Sequence, residues 1–127
     1  MPPEPAPTLR SLVVKCTAGA DEPERCSQAF TVAATALASG AQVSLWLTGE
    51  AAWFGTPGRA EAIELAHSAQ LAELRDAVIT GGSLTVCTQC AARRGITEAD
   101  LLPGVRIAGS ASFVAEVLAD NAQALVY

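Results

Sequence analysis

Five short apolar or β-branched runs recur along this chain with room for one helix between most neighbours. They are "SLVVK" (Ser11 to Lys15), "QVSLWL" (Gln42 to Leu47), "SLTV" (Ser83 to Val86), "GVRIA" (Gly104 to Ala108) and "AQALVY" (Ala122 to Tyr127). The segments between them carry helical periodicity. Cys26, Phe30, Ala33 and Leu37 fall on one stripe, and Leu71, Leu74 and Val78 on another. Strands joined through amphipathic helices cannot close as hairpins; the crossover leaves them parallel, with helices covering both faces. The expected fold is therefore a single-domain, three-layer α/β/α structure with a mainly parallel sheet of about five strands. The 127 residues are half apolar and 17% charged, enough for a core that needs no staples.

Element ends are marked by turn and cap residues. Four of the seven prolines lie within residues 2–7, so residues 1–9 are expected to form a disordered Pro-rich tail ahead of an α/β domain over 10–127. Asp21 is placed as the N-cap of the first helix, with Glu24 completing a capping box, Pro23 in the first turn and Gly40 just past the end. Ser68 is expected to cap the second helix, which Gly81 and Gly82 end. "ITEADLL" reads as a short helix and "SASFVAEVLAD" as the last one. Residues 50–67, with Trp53, Phe54, Pro57 and Gly58, read either as a short helix or as a lid over the sheet edge. Trp53 and Phe54 suit an oligomer surface, a pocket wall or the core equally.

The formal charge is −5, with no run of Lys or Arg, which argues against nucleic acid as a partner. No stretch approaches the ~18 apolar residues of a membrane span, and "MPPEPAPTLR" lacks the features of a signal peptide, so a cytoplasmic location and no membrane partner are expected. In that reducing compartment Cys16, Cys26, Cys87 and Cys90 are read as catalytic, metal-binding or buried thiols rather than as a disulfide framework. "TAGADEPER" does not match a Gly-rich phosphate cradle, so no nucleotide cofactor is expected.

Sites in open parallel sheets form outside the carboxyl ends of the strands, and all four thiols are placed toward that rim. Cys87 directly follows a strand and precedes a helical turn, where amide groups favour the thiolate that nucleophilic attack on sulfur requires. Cys90 makes a Cys-x-x-Cys with it, the spacing of a resolving thiol and equally of half a zinc or iron–sulfur site. Cys16 and Cys26 are either core residues or the other half of a four-cysteine metal site with Cys87 and Cys90. Arg93 and Arg94 either hold an anionic sulfur species or complement the C-terminal dipole of their helix. His67, the only histidine, is read as an exposed loop residue.

The segment "LTVCTQCAARRG" resembles the strand-end cysteine motif of the DsrE family, the DsrE/TusD-like small sulfur-relay proteins. "TAGADEPERCSQAF" is similar to that family's first loop and helix, and "LLPGVRIAGSASFVAEVLADNAQALVY" to its closing strand–helix–strand. The resemblance spans about residues 10 to 127. It implies that Cys87 is the active thiol, carrying a sulfane sulfur as a persulfide between sulfur-donor and acceptor proteins, with Arg93, Arg94 and Gly95 as the trailing motif. It also implies homo- or hetero-oligomers, from dimers to trimers and hexamers, and no required cofactor. Cys90 departs from the pattern, standing where the family has a small apolar residue. Two other readings remain open: a zinc or iron–sulfur protein using Cys16, Cys26, Cys87 and Cys90, and a non-enzymatic oligomeric interaction module.

Overall fold

The computed structural model describes residues 2–3 and 9–127. The tail expected over residues 1–9 lies outside the described residues except for Pro2, Pro3 and Leu9. The elements are β1 (Ser11–Cys16), α1 (Pro23–Ala38), β2 (Gln42–Leu47), α2 (Leu71–Gly81), β3 (Ser83–Cys87), α3 (Thr88–Arg93), β4 (Val105–Ala108), α4 (Ser110–Val117) and β5 (Ala122–Val126). All five strands run parallel in the order β4-β3-β2-β1-β5. The α/β/α architecture expected from the periodicity is the one observed.

The strand order sets where each helix lies. From β1 to β4 the chain advances in one direction, so right-handed crossovers put α1, α2 and α3 on one face. It then returns across the sheet to β5 beyond β1, which puts α4 on the other. The first face holds the main core, in which Val14, Leu45, Leu47, Leu84 and Val86 meet Phe30, Ala33 and Val78 of α1 and α2. The second face is thinner. There Trp46 stacks edge-on against Phe113 of α4, ring centroids 5.4 Å apart, and its indole N–H donates to Glu116 at 3.2 Å. Glu116 also accepts from Arg106 (2.8 Å), whose Nε donates to the buried Thr85 hydroxyl. A polar lattice thus holds α4 over β2, β3 and β4.

Several expected caps do not form. Glu22, not Asp21, occupies the N-cap of α1, because the Asp21 carboxylate accepts the Gly19 N–H at 2.8 Å in the preceding loop. Short acidic side chains commonly make such local bonds in competition with capping. Pro23 does open the helix, and Gly40 follows it at φ +94°. Ser68 does not cap α2, which starts after an extended Gln70; the Ser68 hydroxyl instead meets that of Ser27 at 3.3 Å. The helix expected over "ITEADLL" is a single 3₁₀ turn, Glu98–Asp100, closed by a capping box between Thr97 and Asp100.

The ambiguous middle segment folds as two 3₁₀ turns, Gly49–Gly55 and Ala60–Ala62. Phe54 is core, edge-on to Phe30 at 6.0 Å, and Trp53 is partly covered by the Arg59 guanidinium at 4.1 Å. Phe54 is thus a core residue, and Trp53 packs partly buried against the core. Among the described residues no helix is long and apolar enough to cross a membrane.

Candidate functional site

Cys87 ends β3 and stands at the N-cap of α3, with Ala108 of β4 as its register partner. The chain leaves β3 toward one face of the sheet and leaves β4 toward the other. This is the arrangement that opens a crevice at the carboxyl edge of a parallel sheet. Cys87 therefore stands half-buried at the switch point, where a strand-end residue is both reachable and held by its backbone.

The surroundings of Cys87 favour its ionised form. Partial burial pushes the thiol up. The N–H and thiol of Cys90, the N–H of Gln89 and the charge of Lys15 together outweigh burial, so the group lies below its ordinary value. The side chain makes no formed cap hydrogen bond; the amides act as fixed dipoles facing the sulfur. Lys15 comes from β1, two strands away, and its ammonium also rests over the Phe113 ring at 4.6 Å. Because the thiolate is the reactive species, Cys87 should reach half-maximal alkylation at a lower pH than an ordinary free cysteine. Lys15→Met removes a positive charge that favours the thiolate, so the midpoint should move to higher pH. A pH series of iodoacetamide labelling measures this, and an unmoved or lowered midpoint would contradict it.

Cys90 is buried on the inner side of the same helical turn, 8% exposed. Its sulfur accepts the backbone N–H of Gly49 at 3.2 Å. Gly49 has φ +55°, and a Cβ there would lie 2.9 Å from the Thr17 carbonyl oxygen, so only glycine fits without a shift. Neither Gly49 nor Lys15 announces itself in the sequence as a neighbour of a thiol. A glycine after a strand is too common to signal a thiol partner, and a lone strand lysine looks like any solvated charge.

The arginines divide. Arg94 donates to the Cys90 carbonyl at 3.2 Å and to Glu50 at 3.3 Å, tying the end of α3 to the Gly49–Gly55 turn. Arg93 is exposed in the last turn of α3. His67 is exposed, as expected, in a left-handed conformation at φ 59°.

All four thiols do lie at the carboxyl end of the sheet, yet as two pairs rather than one set. Cys16 and Cys26 are fully buried among the core residues of the α1 face. The Cys16 thiol donates to the Ala18 carbonyl at 3.1 Å. A hydrogen bond with Cys16 pushes the Cys26 thiol far up, and burial adds to this, so it stays protonated. β2 separates β1 from β3, which sets the two pairs' strands about 9–10 Å apart. Thiolates sharing one zinc ion at ~2.3 Å each must approach to within about 4 Å of one another. Among the described residues no three His, Cys, Asp or Glu side chains converge as metal ligands.

No curated protein matches the chain. Among solved structures it is similar to the YchN protein from E. coli, at 17% identity and a TM-score of 0.76, covering 94% of this chain and 100% of that one. It is likewise similar to MTH1491 from Methanobacterium thermoautotrophicum, a protein of unknown function, at 10% identity and a TM-score of 0.69 with the same coverage. At such identities the likeness establishes the fold. The sequence adds the rest: the model of the DsrE/DsrF-like family matches residues 10–125, nearly the whole chain, and the protein belongs to that family.

Proposed function

We propose that this protein is a sulfur carrier of the sulfur-relay type, with Cys87 as the thiol that takes up and passes on a sulfane sulfur. The observation that carries the reading is a half-exposed, thiolate-favouring cysteine at the switch point of the sheet, in a chain of the DsrE/DsrF-like family. In the loading step the Cys87 thiolate attacks the outer sulfur of a donor persulfide. A bond forms between Cys87 Sγ and that sulfur, the donor's S–S bond breaks, and the donor leaves as a thiolate. Delivery is the same exchange in reverse, onto a thiol of an acceptor protein. No cofactor enters either step. Lys15 offsets charge at the reacting sulfur, and Arg93, exposed in the last turn of α3, is available to an anionic donor group. The reading belongs to a compartment with reduced thiols, the cytoplasm, where Cys87 stays free.

Self-association is part of the proposal. Val114 on α4, Leu118 at its C-cap and Val126 on the edge strand β5 are exposed on the α4 face of the sheet; Leu118 is 77% and Val126 65% exposed. A second copy of the chain is the occupant the family relationship supports, and burial of such side chains drives association. Leu118→Glu should therefore shift the protein to a smaller species in size-exclusion chromatography with light scattering. An identical mass for both proteins would count against this surface.

The sulfur reading is tested by intact mass analysis after incubation with a low-molecular-weight persulfide under anaerobic conditions. One added sulfur, ~32 Da, should localise to Cys87. Absence of the adduct from both wild type and Cys90→Ala, or its presence elsewhere than on Cys87, would sink the proposal.

A further inference from the structure

We infer that the Cys87–Cys90 pair carries a second activity: it reduces the sulfane sulfur loaded on Cys87 to hydrosulfide, closing a Cys87–Cys90 disulfide. The inference rests on the reading that Cys87 bears a persulfide, and adds an outcome that a one-cysteine carrier does not have.

Two thiols of unequal exposure share one turn at the head of α3. Cys87 is half-buried and reachable; Cys90 is buried behind it. Cys90, three residues on at the head of α3, is the thiol placed to attack Cys87 Sγ once a sulfur is added there. The Gly49 N–H at 3.2 Å from Cys90 Sγ supplies a fixed donor to the attacking thiolate, held by a backbone that only glycine adopts easily. Residues three apart on a helix have Cβ atoms ~5–6 Å apart, and a disulfide needs ~3.5–4.5 Å. Closure asks for a movement of about an ångström at Cys87, whose backbone (φ −63°, ψ 133°) already lies outside the helix.

The step balances without an outside oxidant. Cys90 Sγ bonds to Cys87 Sγ, and the bond from Cys87 Sγ to the outer sulfur breaks. The outer sulfur leaves with the electron pair, and the proton of Cys90 goes to it or to solvent. The two cysteine sulfurs are oxidised together by two electrons, and the sulfane sulfur is reduced by two, to hydrosulfide. A dithiol reductant, itself becoming a disulfide, restores both thiols. With an acceptor bound, sulfur is delivered; without one, it is released and the carrier locks until reduced.

The test loads wild type, Cys90→Ala, Cys90→Ser and Cys87→Ser with a low-molecular-weight persulfide. Each is desalted anaerobically, and adduct mass and released hydrosulfide are followed without acceptor or reductant. Wild type should lose its added ~32 Da, settle ~2 Da below the reduced mass, and release one hydrosulfide per chain. Both Cys90 variants should keep the adduct at least ten times longer and release none, and Cys87→Ser should never acquire it. An adduct equally long-lived in wild type and Cys90→Ala, or shorter-lived in the variant, overturns the inference and leaves the carrier reading standing. Wild-type decay restored by Cys90→Ser, which can still accept the Gly49 N–H but cannot form a disulfide, also overturns it. No adduct on Cys90→Ala overturns the carrier reading and this inference with it.

Discussion

Cys87→Ser is expected to lower sulfur uptake by on the order of a thousandfold or more, to background, because a hydroxyl cannot supply the nucleophile. The loss should be chemical rather than structural. Cys87 is half-exposed, replaces no core volume when changed to serine, and makes no formed cap bond whose removal would destabilise α3. Stability should stay within about 0.5 kcal/mol of wild type, the range of ordinary surface changes. Loading rate from intact mass and a melting curve on the same sample separate the two effects. A variant that loads sulfur as wild type does would move the chemistry away from Cys87. If the variant instead kept its full role in cells, it would favour the interaction-module reading of the cysteines.

Phe30→Ala should produce the largest loss of stability, about 3–5 kcal/mol, through lost transfer energy and the cavity left behind. Phe30 is fully buried on α1 and meets Phe54 edge-on, so it joins the helix layer to the Gly49–Gly55 turn that reaches Cys90. Domains of this kind hold only about 5–15 kcal/mol in total. A chain of this length should then melt roughly 10–20 °C lower. Urea unfolding with an unchanged slope would assign the change to stability itself, and a loss under about 1.5 kcal/mol would show that the aromatic pair is not a principal support of the core.

Much of the fold was legible because its signals are local. The period of the apolar residues chose strand or helix, and strands alternating with helices left a parallel sheet as the economical solution. β2 runs over the expected Gln42–Leu47, and β1 and β3 run one residue beyond their expected ends, to Cys16 and Cys87. Capping was read less well. Asp21 and Ser68 have the chemistry of N-caps, but a loop amide claims one, and the other meets Ser27 while its helix starts two residues later. Residues 50–67 gave no period to read, since 3₁₀ turns are too short to repeat a pattern.

For the site, the sequence by itself determined the type and place of the central group: a cysteine where a strand hands over to a helical turn, with a second cysteine one turn on. Both facts follow from neighbours in the chain. Which groups converge on Cys87 was decided only by tertiary structure, through the order β4-β3-β2-β1-β5. That order brings Lys15 across the sheet and sets Gly49 beside Cys90. It also turns Arg94 toward Glu50, and parts Cys16 and Cys26 from Cys87 by the width of β2. Four thiols that look alike in the chain thereby become a buried pair and a reactive one, because distance across a sheet depends on strand order, which no local pattern encodes.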